Sequence, residues 1–261
     1  MTADKTAPAS DYDQFVDWNK RLAREAELYR RVFEEAQAAS VIDVGAGSAR
    51  HAIMFASWGM RVDAVDPDDS MLAQARINAA AAADEIADAG GALRVVEAGF
   101  GGLDALGLGP ADALVCSGNA LPHVDGHAGL AVTLADFAAV LRSGAVLVLH
   151  LLNHQRLLDK RPRSIPPVVR DTDDGTKVFL RLMDYPAGDE YIDFDFVTLV
   201  RDASGDWQLT HRRSPHTALP PSLLEAALDR AGFEHIEFLG GHDGRELGPD
   251  DESVIVVARR R

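Results

Sequence analysis

The chain has 261 residues, of which 47% are hydrophobic and 26% are charged, and its formal net charge is −15. This length and composition suit a globular protein with one sizeable core. The single cysteine, Cys116, excludes disulfide bonds within the chain and zinc sites built from several cysteines. Because a nucleic-acid partner requires a basic surface that neutralises phosphates, the acidic balance argues against nucleic acid as a partner.

No apolar run approaches the ~20 residues that a helix needs to span a bilayer, so we expect no membrane partner. Residues 1–11 contain no basic segment followed by an apolar one, so no secretion signal is visible. We predict that these residues form a disordered tail and that the protein is cytoplasmic. The sequence leaves the oligomeric state open.

Predicted helices and strands alternate through the first part of the chain. Tyr12–Ala38 has a helical pattern of apolar residues among charged ones. The elements predicted after it are, in chain order, strand Val41–Val44, a helix around Ala49–Trp58, strand Arg61–Val65, an alanine-rich helix from about Ser70, strands Leu93–Val96 and Ala113–Cys116, a helix from about Gly126 to Leu141, and strand Ala145–Leu151. This alternation predicts a parallel, doubly wound sheet.

The pattern changes to a period of two from roughly Arg156 to His216. The segments "KVFLRLMDY", "YIDFDFVTLVRD" and "WQLTHRR" alternate apolar and polar residues, which predicts an antiparallel meander with one buried face. Helix Pro221–Ala231 and strands near Glu234–Leu239 and Ser253–Ala258 follow. We therefore predict an α/β fold with a doubly wound, mostly parallel, seven-stranded Rossmann-like sheet. The meander (156–216) is an insertion within a single domain, residues 12–261.

A glycine turn lies between the first strand and the next helix, in "VIDVGAGSARHA" (Val41–Ala52), where α/β proteins bind small ligands. A dinucleotide fingerprint requires a third glycine where this chain has Arg50, and a carboxylate at Asp43 would repel a pyrophosphate. A P-loop requires Gly-Lys-Ser/Thr, which "GAGSAR" lacks. These departures argue against phosphate binding, and against an oxidoreductase that modifies nucleotides or sugars.

Two carboxylates at this edge predict a different cofactor. Asp43 suits a cationic amino group, and Asp66, at the end of the next strand in "RVDAVDPDDS", suits the two hydroxyls of a ribose. S-adenosylmethionine carries an amino-acid cation and a ribose that a tight backbone turn could separate. The residues therefore predict S-adenosylmethionine as the cofactor.

These segments resemble motifs of a known family. "VIDVGAGSARHA" followed by "VDAVDPDDSML" is similar to motifs I and II of class I S-adenosylmethionine-dependent methyltransferases, and the resemblance covers roughly Tyr12 to Ala258. It implies that Gly45 and Gly47 pass under the methionine portion and that Asp66 holds the ribose. Further cofactor contacts are implied at Met71 and Phe100, on either side of the adenine, and at Ser117. Many members have an acid at the position of Gly99, so here backbone or water must contact the adenine amino group.

A later segment, "SGNALPHV", resembles glycine N-methyltransferase and related small-molecule enzymes. The stretch "VLVLHLLNHQRLL", the strand-rich insertion and the N-terminal helix resemble that branch too. The resemblance implies that Arg24 clamps the carboxylate of the cofactor and that Tyr12 and Trp18 belong to a lid over the methyl group (residues 12–39). It also implies that Asn119 and His123 face the acceptor. Helix packing of Trp18, and structural roles for Asn119 and His123, remain alternatives.

Methyl transfer from a sulfonium depends more on positioning than on side-chain chemistry. An amine acceptor must arrive neutral, whereas a phenol or hydroxyl needs a base, for which His123, His150 and His216 are candidates. His150 is of interest because it ends the fifth strand, at the edge where ligands sit in such sheets. We predict catalytic roles for Asn119, His123 and His150.

Two pairs of histidines have a spacing that could hold a metal ion on a helix. These pairs are His123/His127 and His150/His154. The first spans a loop with a proline and a glycine, and the second straddles the end of a strand. We therefore predict no metal site.

The predicted acceptor contacts are Tyr12, Trp18, Asn119, Asn153, Arg181 and His216. Leu152, in "HLLNH", stands where the glycine-methylating relatives have an arginine that pairs with the carboxylate of the amino acid, while Asn153 is retained. Since leucine offers no donor, glycine is expected to be a poor acceptor unless Arg181 or Arg212 restores the clamp.

The sequence therefore predicts transfer of a methyl group from S-adenosylmethionine to a small-molecule acceptor other than glycine, with N-methylation favoured. The alternatives are an O- or C-methyltransferase of a specialised metabolite, and a non-catalytic protein of the same fold that binds S-adenosylmethionine. The retained set of Asp43, Gly45, Gly47 and Asp66 argues against loss of cofactor binding.

Overall fold

The computed structural model describes Asp13 and residues 15–172 and 175–261. Its strands are β1 (Ser40–Val44), β2 (Arg61–Asp66), β3 (Ala92–Glu97), β4 (Ala111–Cys116), β5 (Leu141–Leu152), β6 (Ser164–Thr172), β7 (Gly175–Asp184), β8 (Tyr191–Arg201), β9 (Trp207–Thr217), β10 (Phe233–Leu239) and β11 (Ser253–Arg260). Seven of them form one sheet in the order β10-β11-β5-β4-β1-β2-β3. Strands β1 to β5 pair in parallel. Only β11 runs in the opposite direction, and it pairs antiparallel with both β5 and β10. The predicted doubly wound, mostly parallel sheet is confirmed.

The helices between the strands are α1 (Trp18–Ala36), α2 (Arg50–Ala56), α3 (Asp69–Ala81), α4 (Ala83–Asp88), α5 (Gly126–Ala139), α6 (His154–Lys160) and α7 (Pro221–Arg230). Helix α1 begins later than the predicted start at Tyr12, because the Asp17 carboxylate caps it by accepting from the Lys20 amide. The alanine-rich helix is two helices, which meet at Ala82. Residues 1–12, including Tyr12 and the predicted tail, lie outside the described residues.

The sheet has a hydrophobic core on each face. Alternate residues of β1 point to opposite sides, so Ile42 and Val44 pack in one cluster and Val41 in the other. Helices α5 and α7 cover the first face, and α1 and α2 cover the second with buried rings such as Tyr29 and Phe55. The side chain of β1 that follows Ile42 is a carboxylate, which the sheet therefore carries into the α1 side of the core.

A second sheet lies between α6 and α7 in the sequence. It contains four antiparallel strands in the order β6-β7-β8-β9. The sequence predicted the last three of these strands, but β6 was missed because its two prolines and a register shift interrupt the period-two pattern. On β8, Ile192 and Phe194 are fully buried against Met183 and Leu157, as the alternation predicted. In the described part of the chain, no helix is both long and apolar enough to cross a membrane.

Candidate functional site

A cavity of about 750 Å³ opens at the carboxyl edge of the parallel strands, between that edge, the start of α1 and the second sheet. Such an edge is where open α/β sheets bind their ligands. The sequence-predicted residues that line it are Trp18, Arg24, Asp43, Gly45, Gly47, Asp66, Met71, Phe100, Ser117, Asn119, His123, His150, Arg181 and His216. The fold thus brings together residues that are far apart in the sequence.

The glycine turn is fastened to the end of β2. The amides of Gly45 and Ala46 donate to the Val65 carbonyl, at 2.8 and 3.0 Å, and the Gly47 amide donates to the Asp66 carboxylate at 2.8 Å. Gly45 has a φ of +69°, and a Cβ there would lie 2.6 Å from the Cβ of Ala120. A side chain at Gly45 would therefore strain the backbone and push against the loop after β4.

Asp43 carries a buried carboxylate with an unused acceptor. The residue is 1% exposed, and its Oδ2 atom has no hydrogen-bond partner among the described residues. Burial raises the pKa of Asp43 to about 6, even though the nearby His51 acts to lower it. An unpaired buried acceptor costs roughly 1–3 kcal/mol, so a cationic group that enters the cavity and donates to Asp43 would remove that cost.

Asp66 is held in a fixed orientation by backbone amides. Its two oxygens accept from the amides of Gly47 and Asp68, at 2.8 and 2.9 Å, while burial raises its pKa. Each carboxylate oxygen has a second lone pair, which leaves capacity for hydroxyl donors from the cavity. Asp68 in turn caps α3 by accepting from the Ser70 and Met71 amides. That cap places Met71 on the cavity wall, with Phe100.

The start of α1 closes over the turn. Trp18 lines the cavity, donates from its indole nitrogen to Asp13 at 3.1 Å, and packs edge-on against the His51 ring. Asp13 also accepts from Arg50 at 2.8 Å and from the Ser48 hydroxyl. The segment predicted to be a lid is thus tied to the glycine turn through Asp13. No sequence motif marks this residue.

Arg21 and Arg24 both line the cavity but differ in their surroundings. The Arg21 side chain is 14% exposed, donates to Glu25 at 2.9 Å, and lies 5.2 Å from the Trp18 ring centroid. The Arg24 side chain is 68% exposed and lies 3.9 Å from Glu25. Because a hydrogen-bonded, partly buried guanidinium is pre-oriented, Arg21 is better placed than Arg24 to bind an anionic group.

Glu25 lies on the buried face of α1 and is fully buried, although no sequence motif marks it. Its second oxygen lies 2.7 Å from His51 Nε2, and the other ring nitrogen of His51 lies 3.3 Å from the Ser117 hydroxyl. Burial alone would raise the pKa of Glu25, but the hydrogen bond and charge of His51 and the charge of Arg21 lower it below its usual range. The ionised carboxylate therefore docks α1 against α2.

In the loop after β4, where acceptor contacts are predicted, Asn119 joins three segments. Its side-chain Oδ1 atom accepts from the Leu152 backbone amide at 2.9 Å, and its Nδ2 atom lies 3.3 Å from His216 Nδ1. The His123 and His216 rings meet edge-on with centroids 4.4 Å apart, and His216 stacks on Phe194. The His123 ring is open to the cavity, whereas His216 is buried.

His123 and His216 are both neutral at physiological pH. Burial lowers the pKa of His216 to about 2, and His123 beside it adds to the effect. Partial burial also lowers the pKa of His123, and the charge of Arg212 lowers it further. Each ring therefore has one nitrogen that can accept a proton or a hydrogen bond.

The second sheet forms the far wall of the cavity. Arg181, Phe196 and Arg212 are direct neighbours across β7, β8 and β9, and all three line the cavity. Arg181 lies 5.1 Å from the Phe15 ring centroid and Arg212 lies 4.9 Å from that of Phe196. This wall combines flat apolar surface with two cations.

Two predicted acceptor contacts are not among the residues that line the cavity. Asn153 is buried and caps α6 by accepting from the Arg156 amide, while its Nδ2 atom donates to the Asp251 carbonyl. Its placement gives it a structural role instead of the predicted contact with the acceptor. Tyr12 lies outside the described residues, so its assignment to the lid stays a prediction.

The histidines of the two pairs considered for a metal differ in their surroundings. His154 is buried and accepts a hydrogen bond from the Leu219 amide at 2.7 Å, away from His150 at the cavity. His127 is exposed and does not line the cavity that His123 faces.

Comparison with known proteins agrees with this site. Residues 41–144 match the family model described as a methyltransferase domain. A glycine/sarcosine N-methyltransferase of Parasynechococcus marenigrum is 32% identical over 148 residues, which are 57% of this chain and 50% of that protein. The chain thus spans about half the length of the curated relatives it matches, or less.

Solved structures share the fold over nearly the whole chain. A sugar N-methyltransferase from Streptoalloteichus aligns with a TM-score of 0.76 at 23% identity, covering 100% of this chain and 96% of that one. An amino pentose methyltransferase from Micromonospora echinaspora, solved with S-adenosylmethionine bound, gives 0.72 at 20% identity and covers 100% of both chains. The matched methyltransferase domain and the shared fold support the predicted family, the class I S-adenosylmethionine-dependent methyltransferases, and with it the predicted cofactor.

The raised pKa of Asp43 predicts that cofactor binding depends on pH. A cation bound to Asp43 needs the ionised carboxylate, which is lost as pH falls through about 6 in the free protein. The affinity for S-adenosylhomocysteine should therefore fall about ten-fold between about pH 7.5 and about pH 5, as measured by calorimetry. Asp43→Asn should bind more weakly at the higher pH and lose this dependence. A flat profile for the unmodified protein would contradict the assignment.

Arg21, rather than Arg24, is predicted to bind the carboxylate of the cofactor. Arg21→Ala should weaken S-adenosylhomocysteine binding by roughly 1.5–3 kcal/mol, the scale of a hydrogen bond to a charged group, whereas Arg24→Ala should cost less than about 1 kcal/mol. Methylthioadenosine, which lacks the amino-acid portion, serves as the control ligand and should bind both variants alike. A larger loss for Arg24→Ala would reverse the assignment.

Proposed function

We propose that this protein transfers a methyl group from S-adenosylmethionine to the nitrogen of a small-molecule amine larger than glycine. The observation that carries this proposal is the continuity of the cavity. One space runs from the glycine turn and Asp43 to the aromatic wall on β8, passing Leu152 at the end of β5.

The residues present fit the cofactor in one orientation. The amino group would donate to the unpaired Oδ2 of Asp43, and Arg21 would receive the carboxylate. Asp66 would accept from the ribose hydroxyls, and the adenine would lie between Met71 and Phe100. Each of these pairings places a group of the cofactor against a side chain of matching charge or polarity.

Bound S-adenosylmethionine supplies a methyl group already activated by a sulfonium. What remains for the chain is to hold the acceptor nitrogen in line and neutral, and such positioning can be worth ~7–11 kcal/mol. His123 faces the cavity as a neutral imidazole and can accept the proton that the nitrogen releases. His216 and Asn119 keep that ring in place through ring packing and the hydrogen bond between them.

The wall of the second sheet favours an acceptor with a sizeable body. Phe196 is partly buried and lines the cavity together with Phe179, so this wall offers flat apolar surface on which a ring could pack. Leu152 offers no donor for the carboxylate of an amino acid. The names of the similar proteins, which include glycine/sarcosine and sugar N-methyltransferases, support transfer to nitrogen.

O-methylation is the second candidate, and the neutral His123 is the observation that favours it. A hydroxyl acceptor must lose its proton during transfer, and an unprotonated imidazole at the cavity is a suitable base. Transfer to nitrogen needs such a base less, because a neutral amine already has a free lone pair.

The proposal is tested by incubating the purified chain with S-adenosylmethionine labelled in the methyl group. The acceptors would be glycine, sarcosine, aminated cyclic compounds such as amino sugars, and a metabolite extract. We expect label on the nitrogen of a ring-bearing amine, with kcat/KM for glycine and sarcosine at least about 100-fold lower. Efficient turnover of glycine, or label found only on oxygen, would refute N-methylation of a larger amine.

A matched pair of variants tests the acceptor wall. Phe196→Ala removes a ring that lines the cavity and should raise the KM for the acceptor by about ten-fold, with cofactor binding unchanged. Trp207→Ala removes an exposed ring of β9 outside the cavity and should change neither quantity. Equal KM values for both variants would mean that the second sheet does not contact the acceptor.

A further inference from the structure

Three side chains of the type that binds metal ions converge beside the cavity. Glu25 comes from α1, His150 from the end of β5, and His242 from the loop between β10 and β11. One potential ligand atom of each lies within 4.8 Å of the other two. Because these residues are far apart in the sequence, no spacing motif could have revealed the cluster.

The two histidines present nitrogens that nothing else satisfies. His150 Nδ1 and His242 Nε2 are buried and have no hydrogen-bond partner in the described part of the chain. His242 Nε2 lies 3.8 Å from Glu25 Oε2, and the two imidazole rings meet edge-on with centroids 4.9 Å apart. Burial lowers the pKa of His150 to about 3 and that of His242 to about 4, so both rings are neutral, the form that binds metals.

The surroundings of Glu25 orient its carboxylate. Arg21 holds one oxygen at 2.9 Å, and His51 contacts the other at 2.7 Å. His51 can act as a donor there while the Ser117 hydroxyl donates to its second nitrogen at 3.3 Å. Outer donors of this kind fix a metal-binding carboxylate in its orientation.

We propose that Glu25, His150 and His242 form a binding site for one divalent transition-metal ion, with zinc the best fit to two imidazoles and one carboxylate. Ligand atoms of a tetrahedral zinc site lie about 3.3 Å apart, so the three donors must approach one another by at most about 1.5 Å. Three protein ligands leave a fourth coordination position open. Because His150 lines the cavity, this position would face the cavity.

The ion would connect three parts of the wall. It would fasten α1 and the β10–β11 loop to the end of β5, next to the side chains assigned to the cofactor. Its open position could take a water or an oxygen of a bound small molecule. The inference does not rest on the proposed function, since it concerns an ion site that can be measured without any acceptor.

The test uses the untagged chain of 261 residues after treatment with a chelator. Cobalt(II) is added with the visible absorption recorded, and zinc(II) is then used to displace it. We expect one equivalent of each ion to bind at about micromolar affinity or tighter, with cobalt bands typical of tetrahedral coordination. Absence of saturable binding would overturn the proposal, whether or not methyl transfer is detected.

Variants assign the ligands. His242→Ala and His150→Ala should each weaken zinc binding by about ten-fold or more, with unfolding curves that show both variants to be folded. His235→Ala is the matched control, because that side chain is 77% exposed on β10, and it should bind zinc as the unmodified chain does. Unchanged zinc affinity in His242→Ala would also overturn the proposal, since the ion would then lie elsewhere.

Discussion

The buried carboxylate of Asp43, with an oxygen that no described residue satisfies, is the constraint around which the cavity is built. Parallel pairing of β1 with β2 and β4 carries this side chain into the core and leaves its end at the cavity. Left alone, such a group destabilises the fold and favours its own protonation. A ligand that brings a cation to Asp43 therefore removes the destabilising effect of this unpaired carboxylate, and that contribution favours binding.

The elements around Asp43 keep its carboxylate accessible from the cavity and hold the neighbouring backbone in place. The glycine turn, bonded to β2, lets a ligand approach the backbone without meeting a side chain. Above it, the buried Glu25 docks α1 onto α2 through His51, and Asp13 ties the preceding segment to the turn. Helix α1 therefore covers the cavity as a fixed part of the wall, while the second sheet forms a separate wall, which we propose contacts the acceptor.

The sequence was informative wherever function depends on neighbours in the chain. The seven strands, the glycine turn, Asp43 and Asp66 could be predicted because strand periodicity and the strand–turn–helix pattern are local. Sequence patterns did not reveal four residues, because only tertiary contacts distinguish them from other charged residues of a helix or loop. These residues are Arg21, Glu25, His51 and His242. Asn153 was assigned to the acceptor because a resemblance cannot show that a side chain caps the next helix.

The most direct test of this account is a crystal structure of the protein with S-adenosylhomocysteine. The account predicts that the amino group of the ligand lies within hydrogen-bond distance of Asp43 Oδ2, with the ribose hydroxyls on Asp66 and the carboxylate on Arg21. A complex in which Asp43 Oδ2 remains unpaired while the ligand amino group contacts other residues would contradict it.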